Sequence, residues 1–176
     1  RMPLEFASHV WYGPTAQQYT FTRFNRWSSA WFRYIGGMQN QIWIHVPATR
    51  PGENEFRQIT SIEGTNEFPV WCGDRIYFVN ENRAKFTLMS VPSGGGKPKS
   101  EFTSDVEIRE LSTDGNNVIF EQGRGALVLD TATGKVSPVK MQLDGDILHT
   151  RTNLVLAETY VERASITPTG KRVLVE

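Results

Sequence analysis

The feature that most constrains this chain is a module of short apolar runs and polar turns from Glu67 to Thr103. Phe68-Pro69-Val70-Trp71 leads into the turn Cys72-Gly73-Asp74-Arg75 and then into Ile76-Tyr77-Phe78-Val79. A second polar turn, Asn80 to Lys85, precedes Phe86 to Val91. A Gly/Pro/Lys loop then separates that run from a short segment around Glu101-Phe102-Thr103. Runs rich in Val, Ile, Phe, Tyr and Trp between glycine and polar turns are strand signals, and such closely spaced strands form an antiparallel meander. Four strands in about 40 residues is the size of one β-propeller blade.

The module recurs with decay. Thr113-Asp114-Gly115-Asn116-Asn117 followed by Val118-Ile119-Phe120 repeats the first hairpin, and Ala126 to Asp130 repeats the third strand. Ile166 to Val175 repeats the opening hairpin again. Upstream, Val10 to Pro14 with Tyr19 to Thr22, then Gln41 to Val46 and Phe56 to Thr60, make another copy. Tyr19, Ile76, Val118 and Val173 anchor the second strands. Only the interval from Ile76 to Val118 has the bare ~40-residue period of a blade. The outer intervals carry insertions, at Asn25 to Gly37 and Met141 to Ala164.

The expected fold is therefore all-β: about three four-stranded antiparallel β-propeller blades in an open arc, part of a larger propeller. Residues 1–140 hold the blades, at about 10–60, 67–103 and 106–140. Residues 141–165 form a connector, read as an extended crossing with a short helix as the alternative. Residues 166–176 open a further blade or a second propeller. Leu4 to His9 reads as the last strand of a preceding blade, and Arg1 before Met2 as a cut or processed start. An open arc leaves terminal sheet faces uncovered, so the isolated chain is expected to associate. Trp43 and Trp71 are expected in the core.

At 176 residues the chain is long enough for a real core. Its 19 basic and 19 acidic side chains give no net charge, and hence no global field toward nucleic acid or an anionic membrane. No apolar run approaches the ~18 residues of a membrane span. The single cysteine, Cys72, excludes an internal disulfide and a CxxC site.

The residues encode no catalytic set. His9, His45 and His149 are far apart, with no HExxH pair, and no metal site is expected. No GxSxG elbow surrounds a serine. Cys72 has no basic neighbour nearer than Arg75 to activate it. Gly123-Arg124-Gly125 runs into a strand rather than a helix, and Gly94-Gly95-Gly96-Lys97 is followed by Pro98, so neither loop cradles a phosphate. No cofactor is expected. The insertion at Asn25 to Gly37 holds Trp27, Trp31, Arg33 and Tyr34. Its aromatics read either as packing on their own or a neighbouring blade, or as a substrate- or partner-contact surface.

Several runs carry a family resemblance. Trp31-Phe32-Arg33-Tyr34-Ile35-Gly36-Gly37 followed by Gln41-Ile42-Trp43-Ile44 resembles the "W-x-R-Y-x-G-G … IWI" signature of tricorn-type serine peptidases, in their N-terminal propeller region. Phe68 to Phe78 is similar to that family's "FPMW-x-GDKIYF". Ile119 to Gly123 with Leu129-Asp130 and Gly134-Lys135 is similar to its following blade, and Ile166 to Glu176 to its "SPTGKRVLVE" hairpin. Ile35 departs from the first motif, and Asn80-Glu81-Asn82-Arg83 replaces the usual "SDRDG" turn, a change in surface chemistry more than in fold. The family's catalytic residues belong to C-terminal domains with no counterpart here.

The resemblance implies a non-catalytic propeller segment of a large cytoplasmic serine peptidase, which channels or gates peptides and takes part in assembly. Its partners would be peptides and the remaining domains of the parent protein, itself a homo-oligomer. The alternative is a TolB-like propeller that binds a protein or a glycan. The Trp31 to Gly37 run favours the peptidase family.

Overall fold

The computed structural model describes residues 6–24, 36–48, 50, 56–83, 85–142, 152, 154, 156 and 160–176. It divides into two units, residues 1–140 and 141–176. The first contains three four-stranded antiparallel sheets, each ordered as its strands follow in the chain. Blade one is β1 (Ser8–Tyr12), β2 (Tyr19–Thr22), β3 (Trp43–His45) and β4 (Phe56–Gln58). Blade two is β5 (Thr65–Cys72), β6 (Arg75–Asn82), β7 (Lys85–Pro92) and β8 (Lys99–Ser104). Blade three is β9 (Ile108–Thr113), β10 (Asn117–Gln122), β11 (Gly125–Asp130) and β12 (Val136–Pro138). The second unit holds the hairpin β13 (Ala164–Ile166) and β14 (Val173–Val175). No helix occurs among the described residues. The fold is all-β, a partial propeller whose sheets do not close into a ring.

Alternation along blade two explains how the sheets stack. Successive strand residues point to opposite faces. Ile76, Phe78 and Val91, with Trp71, pack on Ile42, Ile44 and Ile59 of blade one. Tyr77, Val79, Phe86 and Leu88, with Phe68 and Val70, pack on Ile108, Leu111, Val118, Phe120 and Leu129 of blade three. A sheet covered on both faces needs apolar residues at odd and even positions alike, and all eight residues of β5 are buried. The first strand of each blade meets its counterpart, with β5 touching both β1 and β9. Burial falls toward the fourth strands β4, β8 and β12, whose residues are half-buried or exposed.

All three first strands bulge at the same place. His9-Val10, Phe68-Pro69 and Glu110-Leu111 each fall in a register break that sets two residues against one: Phe21, Phe78 and Phe120. The opposing phenylalanines are buried to 1 % exposure or less. The leading bulge residues have φ of 46°, 53° and 43°, the left-handed region, where a side chain other than Asn or Asp is strained. A bulge adds twist and re-aims side chains, which suits strands that must turn about a common axis.

Two expectations are corrected here. Ser8 and His9 belong to the first strand of blade one, Ser8 pairing with Thr22, because the bulge lets pairing continue past Trp11. Trp71 is buried, but Trp43 is only half-buried. It lies on the face of β3 opposite to Ile44, beneath the Arg23 guanidinium at 5.6 Å.

Candidate functional site

The notable polar chemistry in the described residues lies in the seam between blades one and two. Asn40 is fully buried where the chain returns into β3. Its side chain pairs with the backbone of Phe24 on both sides: the Phe24 N–H donates to Oδ1 at 2.8 Å, and Nδ2 donates to the Phe24 carbonyl at 2.8 Å. The amide thereby does the work of a strand neighbour across the base of the long insertion. Its second N–H donates to Glu67 Oε1 at 2.9 Å. The Asn40 carbonyl accepts from both the backbone and the side chain of Asn66, each at 3.0 Å. Asn80 Nδ2 then donates to Asn66 Oδ1 and to the Glu63 carbonyl. Such a network holds its segments in one register, because a buried polar group left without a partner costs about 1–3 kcal/mol.

Glu67 closes the polar start of β5, Thr65-Asn66-Glu67, just before its apolar half, and it is 5 % exposed. Oε1 is satisfied by Asn40. Oε2 faces His9 Nδ1 at 3.1 Å but takes no donor in hydrogen-bond geometry. The ion-pair distance without alignment describes a contact held by backbone position. Its source is plain, since His9 sits on the β1 bulge and Glu67 immediately precedes the β5 bulge.

Thr22, His9 and Glu67 superficially suggest a hydroxyl–imidazole–acid relay. The geometry forbids it. Thr22 Oγ1 and Glu67 Oε2 both approach the same ring nitrogen, at 3.5 and 3.1 Å, so no proton can pass through the ring from one to the other. The Thr22 hydroxyl is fully buried and directed at the Ser8 and Phe24 carbonyls. The cluster is a clasp between blades, not a reaction centre.

The residues singled out in the sequence fare differently. Trp27, Trp31, Arg33 and Tyr34 lie outside the described residues. Cys72 is buried in the second seam. His45 stacks on Tyr19 with ring centroids 4.5 Å apart, and its Nδ1 lies 2.8 Å from the Gln17 carbonyl. No group of three or more His, Cys, Asp and Glu that could hold a metal occurs among the described residues. No helix there is long and apolar enough to cross a membrane.

The order and packing of these blades agree with the family comparison. Residues 1–135 match the family described as "Tricorn protease N-terminal beta propeller domain". The chain belongs to the tricorn N-terminal propeller family. Among curated tricorn relatives, "Tricorn protease homolog 1" of Streptomyces coelicolor is 29 % identical over 106 residues, covering 59 % of this chain and 10 % of the relative. "Tricorn protease homolog" of Saccharolobus solfataricus is 23 % identical over 138 residues, 77 % of this chain and 12 % of the relative. The tricorn propeller segment thus spans about a tenth of each of these relatives' length. The fold is shared with the crystal structure of the tricorn protease at a TM-score of 0.63 and 24 % identity, over 80 % of this chain and 13 % of that one. A putative TolB from Agrobacterium tumefaciens shares it at 0.58 and 14 % identity, over 77 % and 50 %.

Sequence reading missed the clasp. Glu67, at the head of the apolar run Phe68 to Trp71, gives no local sign of burial. Asn40, Asn66 and Asn80 look like ordinary turn and strand-end residues until the blades are stacked.

Proposed function

We propose that this chain is a non-catalytic propeller segment of a tricorn-like cytoplasmic serine peptidase, and that it contributes to peptide channelling or gating and to assembly. In this reading residues 1–140 are the partial propeller, 141–165 a connector, and 166–176 the opening hairpin of a further blade or second propeller. The observation that carries it is the tricorn N-terminal propeller match over residues 1–135, on a chain whose buried polar cluster is built for cohesion rather than turnover. A propeller places its first strands about the central axis, so a peptide in the channel would pass beside β1, β5 and β9. Trp27, Trp31, Arg33 and Tyr34 are proposed as substrate- or partner-contact residues. The parent is proposed to be a homo-oligomer whose other domains supply the chemistry.

Photo-cross-linking tests this. A long unstructured peptide carrying a photoreactive residue, added to the parent peptidase, should label residues within 1–140 and be displaced by unlabelled long peptide. Labelling confined to other domains would contradict the channelling role.

A further inference from the structure

We propose that the polar end of the β6–β7 face, on the side that looks toward blade one, is a binding groove for an extended peptide bearing acidic side chains. The groove is open to solvent, offers roughly 490 Å³ and is lined by Glu63, Asn80, Asn82, Arg83, Lys85 and Thr87. Strand register builds it. Asn80 pairs opposite Thr87 and Asn82 opposite Lys85, so these four side chains share one face of the β6–β7 ribbon. Ile76 and Phe78 occupy the same face further along, where they are buried against Ile42 and Ile44. The groove is therefore the place where that face turns from apolar to polar while still looking toward blade one.

Its lining selects the occupant. Arg83 and Lys85 bring two positive charges against one carboxylate, Glu63, which already holds Arg83 at 3.3 Å. Arg83 stands in the β6–β7 turn at φ 50°, a position that Gly, Asn or Asp would fill without strain. The two-residue turn between Asn82 and Lys85 demands that positive φ, and the chain meets it with a residue whose cation reaches the groove. A carboxylate side chain would bridge Lys85 and the outer face of Arg83. The Asn82 amide offers both a donor and an acceptor, which pairs with a peptide main chain. The Glu63 carboxylate accepts a peptide N–H but repels a compact dianion, so the set fits an acidic peptide better than free phosphate.

Calorimetric titration of the 176-residue chain tests the assignment independently of any channelling role. The probes are acetyl-Ala-Glu-Ala-Glu-Ala-amide, its glutamine counterpart and inorganic phosphate. The acidic peptide should bind saturably and weaken about tenfold in Arg83→Asn/Lys85→Gln. The thermal midpoint of that variant should be unchanged or raised, because Asn relieves the left-handed strain. Glu63→Gln should retain or tighten binding. Equal binding of the two peptides, phosphate binding as tight as the acidic peptide, an unaffected double variant, or no saturation at millimolar peptide would each overturn the proposal.

Discussion

His9 and Phe68, the left-handed bulge residues of successive first strands, lie ring against ring with centroids 4.8 Å apart. The contact links blade one to blade two where both strands are most strained. It also brings the His9 ring to Glu67, the residue before Phe68. Strain that recurs at one position in three blades, each time opposite a buried phenylalanine, is part of how the blades are seated.

Relief of that strain should be measurable where the side chain does nothing else. Glu110 is exposed at φ 43°. Glu110→Asn should stabilise the chain by about 0.5–1 kcal/mol, because Asn tolerates the left-handed region. Glu110→Val should destabilise it by at least as much. Urea denaturation reads both, and equal midpoints would remove the strain argument.

Truncation of the facing phenylalanine should be far more costly. Phe78 has no exposed surface and lies in the core shared by blades one and two. Phe78→Ala should cost about 3–5 kcal/mol, through lost burial plus the cavity left behind. A loss below about 1 kcal/mol would show that the seam repacks freely.

Glu67 should matter through its amide partner more than through charge. Glu67→Gln keeps an acceptor for Asn40 Nδ2, whereas Glu67→Ala leaves a buried N–H unpaired and opens space. The expected losses are under about 1 kcal/mol for Gln and about 2–3 kcal/mol for Ala. Hydrogen exchange in β1 and β2 should rise more than in β9 to β12 in the alanine variant.

Gly64 should tolerate no side chain. Its φ is 100°, and an added Cβ would come within 2.3 Å of the Glu81 carbonyl oxygen. Gly73, at φ 61°, has open space around the same position. Gly73→Ala should therefore cost only the left-handed penalty of about 1–2 kcal/mol, and Gly64→Ala distinctly more. Paired thermal melts check the order.

Stability should fall at both extremes of pH for identifiable reasons. Burial, followed by the Glu101 carboxylate, pushes the Tyr77 phenol up from 10.0 to about 12. The folded state then holds the proton more tightly than the unfolded chain. That contribution is intact below pH 10 and is lost as pH rises through about 12. Tyr77→Phe should remove this alkaline component. Asp114 behaves oppositely: the Asn117 side-chain amide, then the Asn116 and Asn117 N–H groups, lower it from 3.8 to about 2. Its contribution is present above the unfolded value and lost as pH falls through about 2, and Asp114→Asn should blunt that acid limb.

The blades were legible in the sequence because their second strands are distinctive. Tyr19, Ile76 and Val118 each stand two residues before Phe21, Phe78 and Phe120, the fully covered centres of the three sheets. The bulges opposite them were not legible, since His, Phe and Glu carry the left-handed turn where a glycine would have announced it. The clasp was hidden for another reason. Asn40, Glu67 and Asn80 are separated in the chain and meet only once sheets stack, so no local pattern links them. Asn80 to Asn82 read in the sequence as part of a polar turn but belong to β6, and the place of Asn80 and Asn82 on its blade-one-facing side follows from register alone.

The channelling role rests most directly on whether the first strands face passing substrate. Glu110→Cys, introduced into a parent chain whose other accessible cysteines are replaced, would place a thiol on β9, while Cys72 is buried and shielded from reagent. The measurement is the ratio of turnover of a long unstructured peptide to that of a short chromogenic substrate, before and after alkylation with a polyethylene-glycol maleimide. The account predicts that the long peptide slows severalfold while the short substrate is untouched. Equal rates for both substrates after complete labelling would contradict it.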